Sequence, residues 1–241
     1  MRILLKLFIY ILIIKSVLYS EIQEYELDDN LSSAVVFMYH RFGDDRYPST
    51  NIHLEQFEQH LNYIKDNNFK VWHLSKIVNY ILQNKKIPHK TVALTIDDAY
   101  ITTYTNAYPR LKAKNFPFTV FVSTRAIDSK SKNYMSWEQM QEMGLNGAEF
   151  ANHSLTHQYL LPEKSETKES WKKRFINEVE NAQKRLQEKL GISTNKNPKL
   201  FSYPFGEYNQ EMANLLKKLG YVGITQTSGV VNSRSDLRAL P

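Results

Sequence analysis

The stretch Val92-Ala93-Leu94-Thr95-Ile96 constrains this chain more than any other, because it runs unbroken into two carboxylates, Asp97 and Asp98. An apolar run this short, without alternation, reads as a strand buried on both faces, the condition of a parallel sheet covered by helices. Paired aspartates at its C-terminal end are then delivered where α/β folds place their chemistry. Read alone, the pair is equally a strand-to-loop turn, since aspartate is a common turn former.

The same pattern recurs along the chain. Ala34–Met38 runs into Tyr39-His40, Phe118–Val122 follows Pro117, Ala148–Asn152 leads into His153, and Leu200-Phe201-Ser202 into Tyr203-Pro204-Phe205-Gly206; Tyr221–Thr225 is a last apolar strand. Val71-Trp72 begins a shorter extended piece. Helical spacing separates these runs at Leu54–Asn67, at Leu74–Leu82 with Ser75 as cap, and from Asp98 through about Lys114. Ser136 with Gln139 opens a further helix as a capping box, Glu163–Leu190 is closed by Gly191, and Glu207–Leu219 by Gly220. Strands alternating with helices make an α/β fold with a parallel sheet. A barrel is favoured over an open sheet, because it would bring the recurring polar strand tips together at one mouth.

A length of 241 residues with 42% hydrophobic and 23% charged side chains suits one domain with a substantial core. Residues 1–20 carry a basic start and the apolar run Leu7–Ile14, the dimensions of a signal peptide. Cleavage after Ser20 is one reading, and an uncleaved membrane anchor is the other, because Leu18 is larger than the residue preferred there. Either way the domain is expected to be exported. It would occupy 34–241, after a polar spacer at 21–33. Taking the positive charges of Arg2, Lys6 and Lys15 from the net +6 leaves +3, which gives no reason to expect a nucleic-acid partner. Cysteine is absent, which removes disulfides, thiolate ligands and a cysteine nucleophile.

Asp98, His153 and His157 form an oxygen–nitrogen–nitrogen set. Two histidines four apart on one helical turn would face the same way and could share an ion. Carboxylate with imidazole suits a borderline divalent metal, zinc first, with positions left for water and substrate.

The set Thr95-Ile96-Asp97-Asp98-Ala99-Tyr100, His153-Ser154-Leu155-Thr156-His157 and Phe201-Ser202-Tyr203-Pro204-Phe205-Gly206 resembles the polysaccharide deacetylases, the NodB-homology family 4 carbohydrate esterases. The flanks Phe118–Thr124 and Tyr134–Gln139 agree, and the likeness runs in order over roughly residues 34 to 240. Met38-Tyr39-His40-Arg41-Phe42 further resembles the exported poly-β-1,6-N-acetylglucosamine deacetylases. The resemblance implies a distorted (β/α) barrel and a metal-dependent deacetylase acting on an N-acetylated polysaccharide. Asp98, His153 and His157 would hold the metal, Asp97 would be the general base, and the backbone N–H of Phe205 would help hold the oxyanion. The usual late Leu-x-His motif is missing, so the early Tyr-His pair points to His40 as the acid. Tyr39, Tyr203, Pro204 and Trp137 are the candidate substrate contacts, although each aromatic also reads as core or pocket wall.

Three departures accompany the likeness. Ala99 stands where glycine is usual, and Ser202 where many members carry an arginine that pairs with the base, leaving Arg238 as a substitute partner. Relatives usually continue past the counterpart of Leu240-Pro241, so a final strand or second domain is expected beyond it. His53, His60, His73 and His89 lie in no motif and read as surface residues. The alternatives to N-deacetylation of an exopolysaccharide are a peptidoglycan deacetylase, an O-acetyl esterase, and a silent glycan-binding domain. The intact polar quartet Asp97, Asp98, His153 and His157 speaks against silence, because buried unused polar groups are costly.

Overall fold

The computed structural model describes residues 32–191 and 198–241. The reading of residues 1–20 as signal or anchor, and most of the spacer, therefore lie outside the described residues. Ser33–Pro241 forms one unit. Among the described residues no helix is long and apolar enough to cross a membrane.

The described residues form ten strands in order: β1 Ser33–Tyr39, β2 Arg41–Phe42, β3 Asn51–Ile52, β4 Lys70–Val71, β5 Thr91–Ile96, β6 Phe118–Val122, β7 Ala148–Asn152, β8 Lys199–Ser202, β9 Tyr221–Ile224 and β10 Val231–Asn232. The main sheet runs β10-β1-β5-β6-β7-β8-β9, parallel except for β10, and curls into a half-barrel of the distorted (β/α) type. Every residue of β5 and β6 is buried. Val92, Leu94 and Ile96 of β5 pack into one apolar cluster and Ala93 into another, so this strand is covered on both faces.

The distortion has a local origin. β4 pairs with Thr91 and Val92 in the first half of β5, and β6 pairs with Thr95 and Ile96 in the second half of the same edge. The C-terminal end of β5 therefore pairs only with the first half of β6, through Thr119 and Val120. At the far edge, Leu237–Leu240 runs along β9, with Gly223 donating to the Leu237 carbonyl and Leu240 to that of Gly223. This cover satisfies backbone groups that an open edge would leave unpaired.

Among the described residues, seven α-helices lie between the strands: α1 Leu54–Asp66, α2 Leu74–Leu82, α3 Tyr108–Ala113, α4 Thr124–Asp128, α5 Trp137–Leu145, α6 Lys168–Leu190 and α7 Gln210–Lys218. Three of them end on asparagine. Asn68, Asn84 and Asn115 adopt φ of 57°, 51° and 54°, and the next N–H returns to the last helical turn in each case. The Ser136–Gln139 capping box opens α5, and Gly191, at φ 64°, closes α6.

Three expected helices are shortened or interrupted, for identifiable reasons. The run after Asp98 is not one helix: Thr103–Ala107 widens into a π-turn before α3, because Pro109 offers no N–H to continue the ladder. α6 begins at Lys168 rather than Glu163, since the Thr167 side chain caps it and Glu166 is engaged elsewhere. α7 likewise waits for the Asn209 cap. Ser75 is not a cap, because His73 holds that position and Ser75 is buried in the first turn.

Candidate active site

Because β1, β5, β6, β7 and β8 run parallel, Tyr39-His40, Asp97, Ser123, His153 and Ser202-Tyr203 all emerge at one end of the sheet. Asp97 is 1% exposed; its N–H donates to the Tyr39 carbonyl at 2.8 Å, and Ser202 Oγ donates to its Oδ2 at 3.2 Å. Asp98 and Ala99 then take consecutive left-handed conformations, φ 68° and 57°. In an extended strand neighbouring side chains point to opposite faces. The turn instead lets both carboxylates converge on His153, whose Nε2 lies 3.5 Å from Asp98 Oδ1 and 3.9 Å from Asp97 Oδ2.

His153 is wholly buried. Its Nδ1 is 2.8 Å from the Ser202 carbonyl, which can only accept, so Nδ1 carries the proton and Nε2 presents a lone pair. Nε2 itself has no hydrogen-bond partner, an orphaned buried atom aimed into the carboxylates. His157 Nε2 approaches Asp98 Oδ1 at 3.1 Å, and the imidazole stands edge-on to that of His153 at 4.7 Å.

The two histidines do not share a helical turn, contrary to the spacing argument. The chain from Ser154 to His157 is a loop in which Ser154 (φ 68°) and His157 (φ 58°) are both left-handed. Ser154 N–H donates to Asn152 Oδ1, and His157 N–H to Ser154 Oγ. Between the two histidines, the N–H and hydroxyl of Thr156 both donate to Glu178 Oε2 of α6 at 2.9 Å. These side-chain bonds substitute for the helical ladder and still bring both rings to one point.

One oxygen of Asp98 and one nitrogen from each histidine lie within 4.8 Å of one another. Around an ion bonded at about 2.0–2.2 Å, donor atoms sit about 2.9–3.5 Å apart, depending on whether the geometry is octahedral or tetrahedral. The 3.1 and 3.5 Å contacts to Asp98 fall within that range. The donor set therefore fits a borderline divalent cation.

Electrostatics separate the two aspartates. Burial pushes the Asp97 carboxyl up, against the opposing pull of His153 and His40. Burial also acts upward on Asp98, but the adjacent imidazoles of His153 and His157 outweigh it and hold this carboxyl well below the usual range. His153 is raised by Asp97 and Asp98 in spite of its burial. Burial, then repulsion from His153, lowers His157 to about 4, leaving its imidazole neutral and able to ligate at neutral pH.

The remaining sequence candidates divide. His40 is half-buried, and its charge bears on Asp97, Asp98 and His157. Phe205, left-handed at φ 60°, presents its ring edge-on to His157 at 4.6 Å. The aromatic substrate candidates lie largely enclosed. Tyr39 is buried with its hydroxyl bonded to His60 Nδ1, Trp137 is buried and donates its indole N–H to Asp128, and Tyr203 is wholly buried and donates to the Arg238 carbonyl. Pro204 is also buried. Tyr39, Trp137 and Tyr203 belong to the apolar clusters beneath the strand ends. Arg238 does not pair with Asp97, because Asp236 and Asn214 engage its guanidinium at the surface. Ser202 takes that position.

Two participants escaped sequence reasoning. Tyr159, 58% exposed, stacks on Phe205 at 4.2 Å and 18°, and only its nearness to His157 in the chain could have flagged it. Glu178 is one acid among many on α6 and carried no signal. On the other flank, Tyr100 stacks on Tyr134 at 5.3 Å with the Arg41 guanidinium 3.3 Å above its ring. A cavity of about 1050 Å³ opens at the opposite end of the sheet around Lys76, Glu149 and Lys199, away from the convergent polar groups.

The sequence profile of the family described as polysaccharide deacetylase matches residues 84–224. A Bacillus subtilis protein named putative polysaccharide deacetylase YxkH is 26% identical over 209 residues, covering 85% of this chain and 68% of that protein. A Staphylococcus aureus protein named poly-beta-1,6-N-acetyl-D-glucosamine N-deacetylase is 25% identical over 189 residues, covering 76% of this chain and 63% of its own length. The chain thus spans about two thirds of these relatives. Among solved structures, the Streptococcus pyogenes deacetylase PplD in complex with acetate superposes with a TM-score of 0.76 at 24% identity, covering 87% of this chain and 91% of that one. This likeness establishes a shared fold.

Proposed function

This chain belongs to the polysaccharide deacetylase family, and from that membership we propose that it is a metal-dependent hydrolase removing N-acetyl groups from an N-acetylhexosamine polymer. The observation that carries the reading is the buried, unpartnered Nε2 of His153 facing Asp97 and Asp98, with His157 closing the set. Poly-N-acetylglucosamine is the favoured polymer, from the early Tyr39-His40 pair and the S. aureus relative.

Asp98, His153 and His157 would hold the ion, with zinc as the expected metal. When bound, such an ion supplies a Lewis acid that polarises the acetyl carbonyl and acidifies water. Asp97 takes the proton of the attacking water at Oδ1 or Oδ2, while Ser202 steadies Oδ2. The water oxygen bonds to the acetyl carbon, and the Phe205 N–H supports the developing oxyanion. His40 donates a proton to the departing nitrogen as the C–N bond breaks, leaving acetate and a free amine. The Ser202 carbonyl keeps His153 in the ligating tautomer throughout. Export guided by residues 1–20, as signal or anchor, accompanies this role.

The test is acetate release from N-acetylglucosamine oligomers, with zinc, with chelator, and with Asp97→Asn. Release that needs metal and disappears in Asp97→Asn while zinc stays bound is expected. Absence of both release and zinc binding would leave a silent glycan-binding domain.

A further inference from the structure

Two aromatic rings stand outside the core beside the candidate metal ligands. Tyr159 is 58% and Phe205 42% exposed, yet they stack on each other at 4.2 Å, and Phe205 meets the edge of His157 at 4.6 Å. Three rings thus lead in a row from the buried polar site to the surface. Scattered single apolar side chains are normal on a protein surface, but a stacked pair abutting a polar site is not such scatter.

The display is built in from both sides. The chain carrying Tyr159 is tied to α6: Trp171 donates its indole N–H to the Leu160 carbonyl at 2.8 Å. Arg174 donates to the carbonyls of Tyr159 and Leu161 at 3.0 and 2.9 Å. Glu166 holds the same guanidinium with two bonds of 2.7 Å. On the other side, Phe205 and Gly206 are both left-handed, φ 60° and 69°, which carries the Phe205 ring out of the core. Any larger residue at Gly206 would press on Gln226, at 2.8 Å from an added Cβ. A non-glycine residue in this conformation is strained, and such strain persists where surroundings enforce it.

A flat aromatic face beside a polar site matches the alternately apolar and polar surfaces of a pyranose ring. The reacting acetyl group must reach Asp98 and His157, whereas Tyr159 lies a further ring beyond Phe205. We propose that Tyr159, backed by Phe205, is a stacking platform for the sugar unit adjacent to the one being deacetylated, so that the protein grips at least two consecutive N-acetylhexosamine units. This rests on the function proposed above and adds which surface holds the unit of the polymer next to the reacting one.

Binding, not turnover, tests it. The full chain carrying Asp97→Asn, with zinc supplied, is titrated calorimetrically with N-acetylglucosamine and with its pentamer, in the Tyr159, Tyr159→Ala and Tyr159→Phe forms. Tyr159→Ala is expected to weaken pentamer binding by about 2- to 12-fold, the size of one aromatic contact, and monomer binding by less. Tyr159→Phe keeps the flat ring and should stay close to the parent. Tyr63→Ala, at another exposed tyrosine on α1, serves as the control that leaves binding intact. If Tyr159→Ala fails to fold, Tyr159→Leu, apolar but without a flat face, reads the same loss. Equal losses for monomer and pentamer, a Tyr159→Phe loss as large as that of Tyr159→Ala, or no pentamer binding by the parent would overturn the platform. Failure of the wild type to release acetate, with the pentamer still bound through Tyr159, would sink the catalytic reading and leave the platform standing.

Discussion

Glu178 offers the sharpest test of how this site is held. It lies on α6, 22 residues beyond Thr156, and one of its oxygens receives both the N–H and the hydroxyl of the residue between the metal-ligand candidates. Glu178→Ala removes two charge-assisted hydrogen bonds, each worth about 1.5–3 kcal/mol where water is excluded. Both residues are only half-buried, and water can replace part of the loss, so about 2 kcal/mol in total is expected. For a unit of this size that lowers the melting temperature by about 4–8 °C. The larger effect should fall on the ion, because loss of an outer partner typically weakens a metal site by about 10- to 100-fold. Glu178→Gln keeps an oxygen for both donors and should lose about half as much. Thermal unfolding in chelator reads the first quantity, and competition with a chromophoric chelator the second. If Glu178→Ala bound zinc as tightly as wild type and melted within about 1 °C of it, the idea that α6 positions His157 would be wrong.

Ser202→Ala should cut acetate release by about 10- to 100-fold, the value of one hydrogen bond to a buried carboxylate. Since that donor favours the anion, its loss should move the acid limb of the pH–rate profile upward, and an unmoved profile would clear Ser202 of a role. Glu166 is held down to about 2, chiefly by Arg174, from an ordinary 4.5. A depressed carboxyl stabilises the fold fully above its ordinary value, and that contribution fades as pH falls towards about 2. The urea stability gap between wild type and Glu166→Gln should therefore be constant above about pH 6 and narrow below about pH 4.5; a gap that widened on acidification would contradict the pairing. Gly223→Ala would place a methyl 2.7–2.8 Å from the Tyr203 ring and hydroxyl and against the Arg238 carbonyl. Overpacking of about 1–3 kcal/mol should lower the melting temperature by about 2–12 °C, as differential scanning calorimetry would record.

What was legible in the chain was local. β5 and β6 were visible because a strand covered on both faces needs an uninterrupted apolar run, and Thr91–Ile96 and Phe118–Val122 supply one each. Capping of α5 was equally visible, since Ser136 and Gln139 bond within a single turn. The histidine pair was found through its spacing but for the wrong reason, because the loop reaches the same convergence through Ser154, Asn152 and Glu178. Contacts across long separations were not readable. The resemblance put position 202 beside the base, but it gave a serine there no role, and the bond of Ser202 to Asp97, 105 residues earlier, is visible only in the structure. Aromatic side chains at strand ends posed a similar difficulty. Tyr203 and Phe205 are two residues apart, yet one is sealed in the core and the other exposed, a difference made by the left-handed turn at Phe205.

The distribution of left-handed residues carries a consequence for how such a protein can change. Among the described residues, ten non-glycine positions have positive φ, and five of them, Asp98, Ala99, Ser154, His157 and Phe205, belong to the candidate site. Glycine would relax the backbone at any of the five, so the cheapest gains in thermal robustness lie where the side chains or their placement matter most. Random variation screened only for heat tolerance would tend to erode the mouth of the half-barrel first. Ala99 is the exception that could be spared: its methyl is wholly buried and carries no polar group, which makes it the one position of the five where sturdiness and chemistry do not compete.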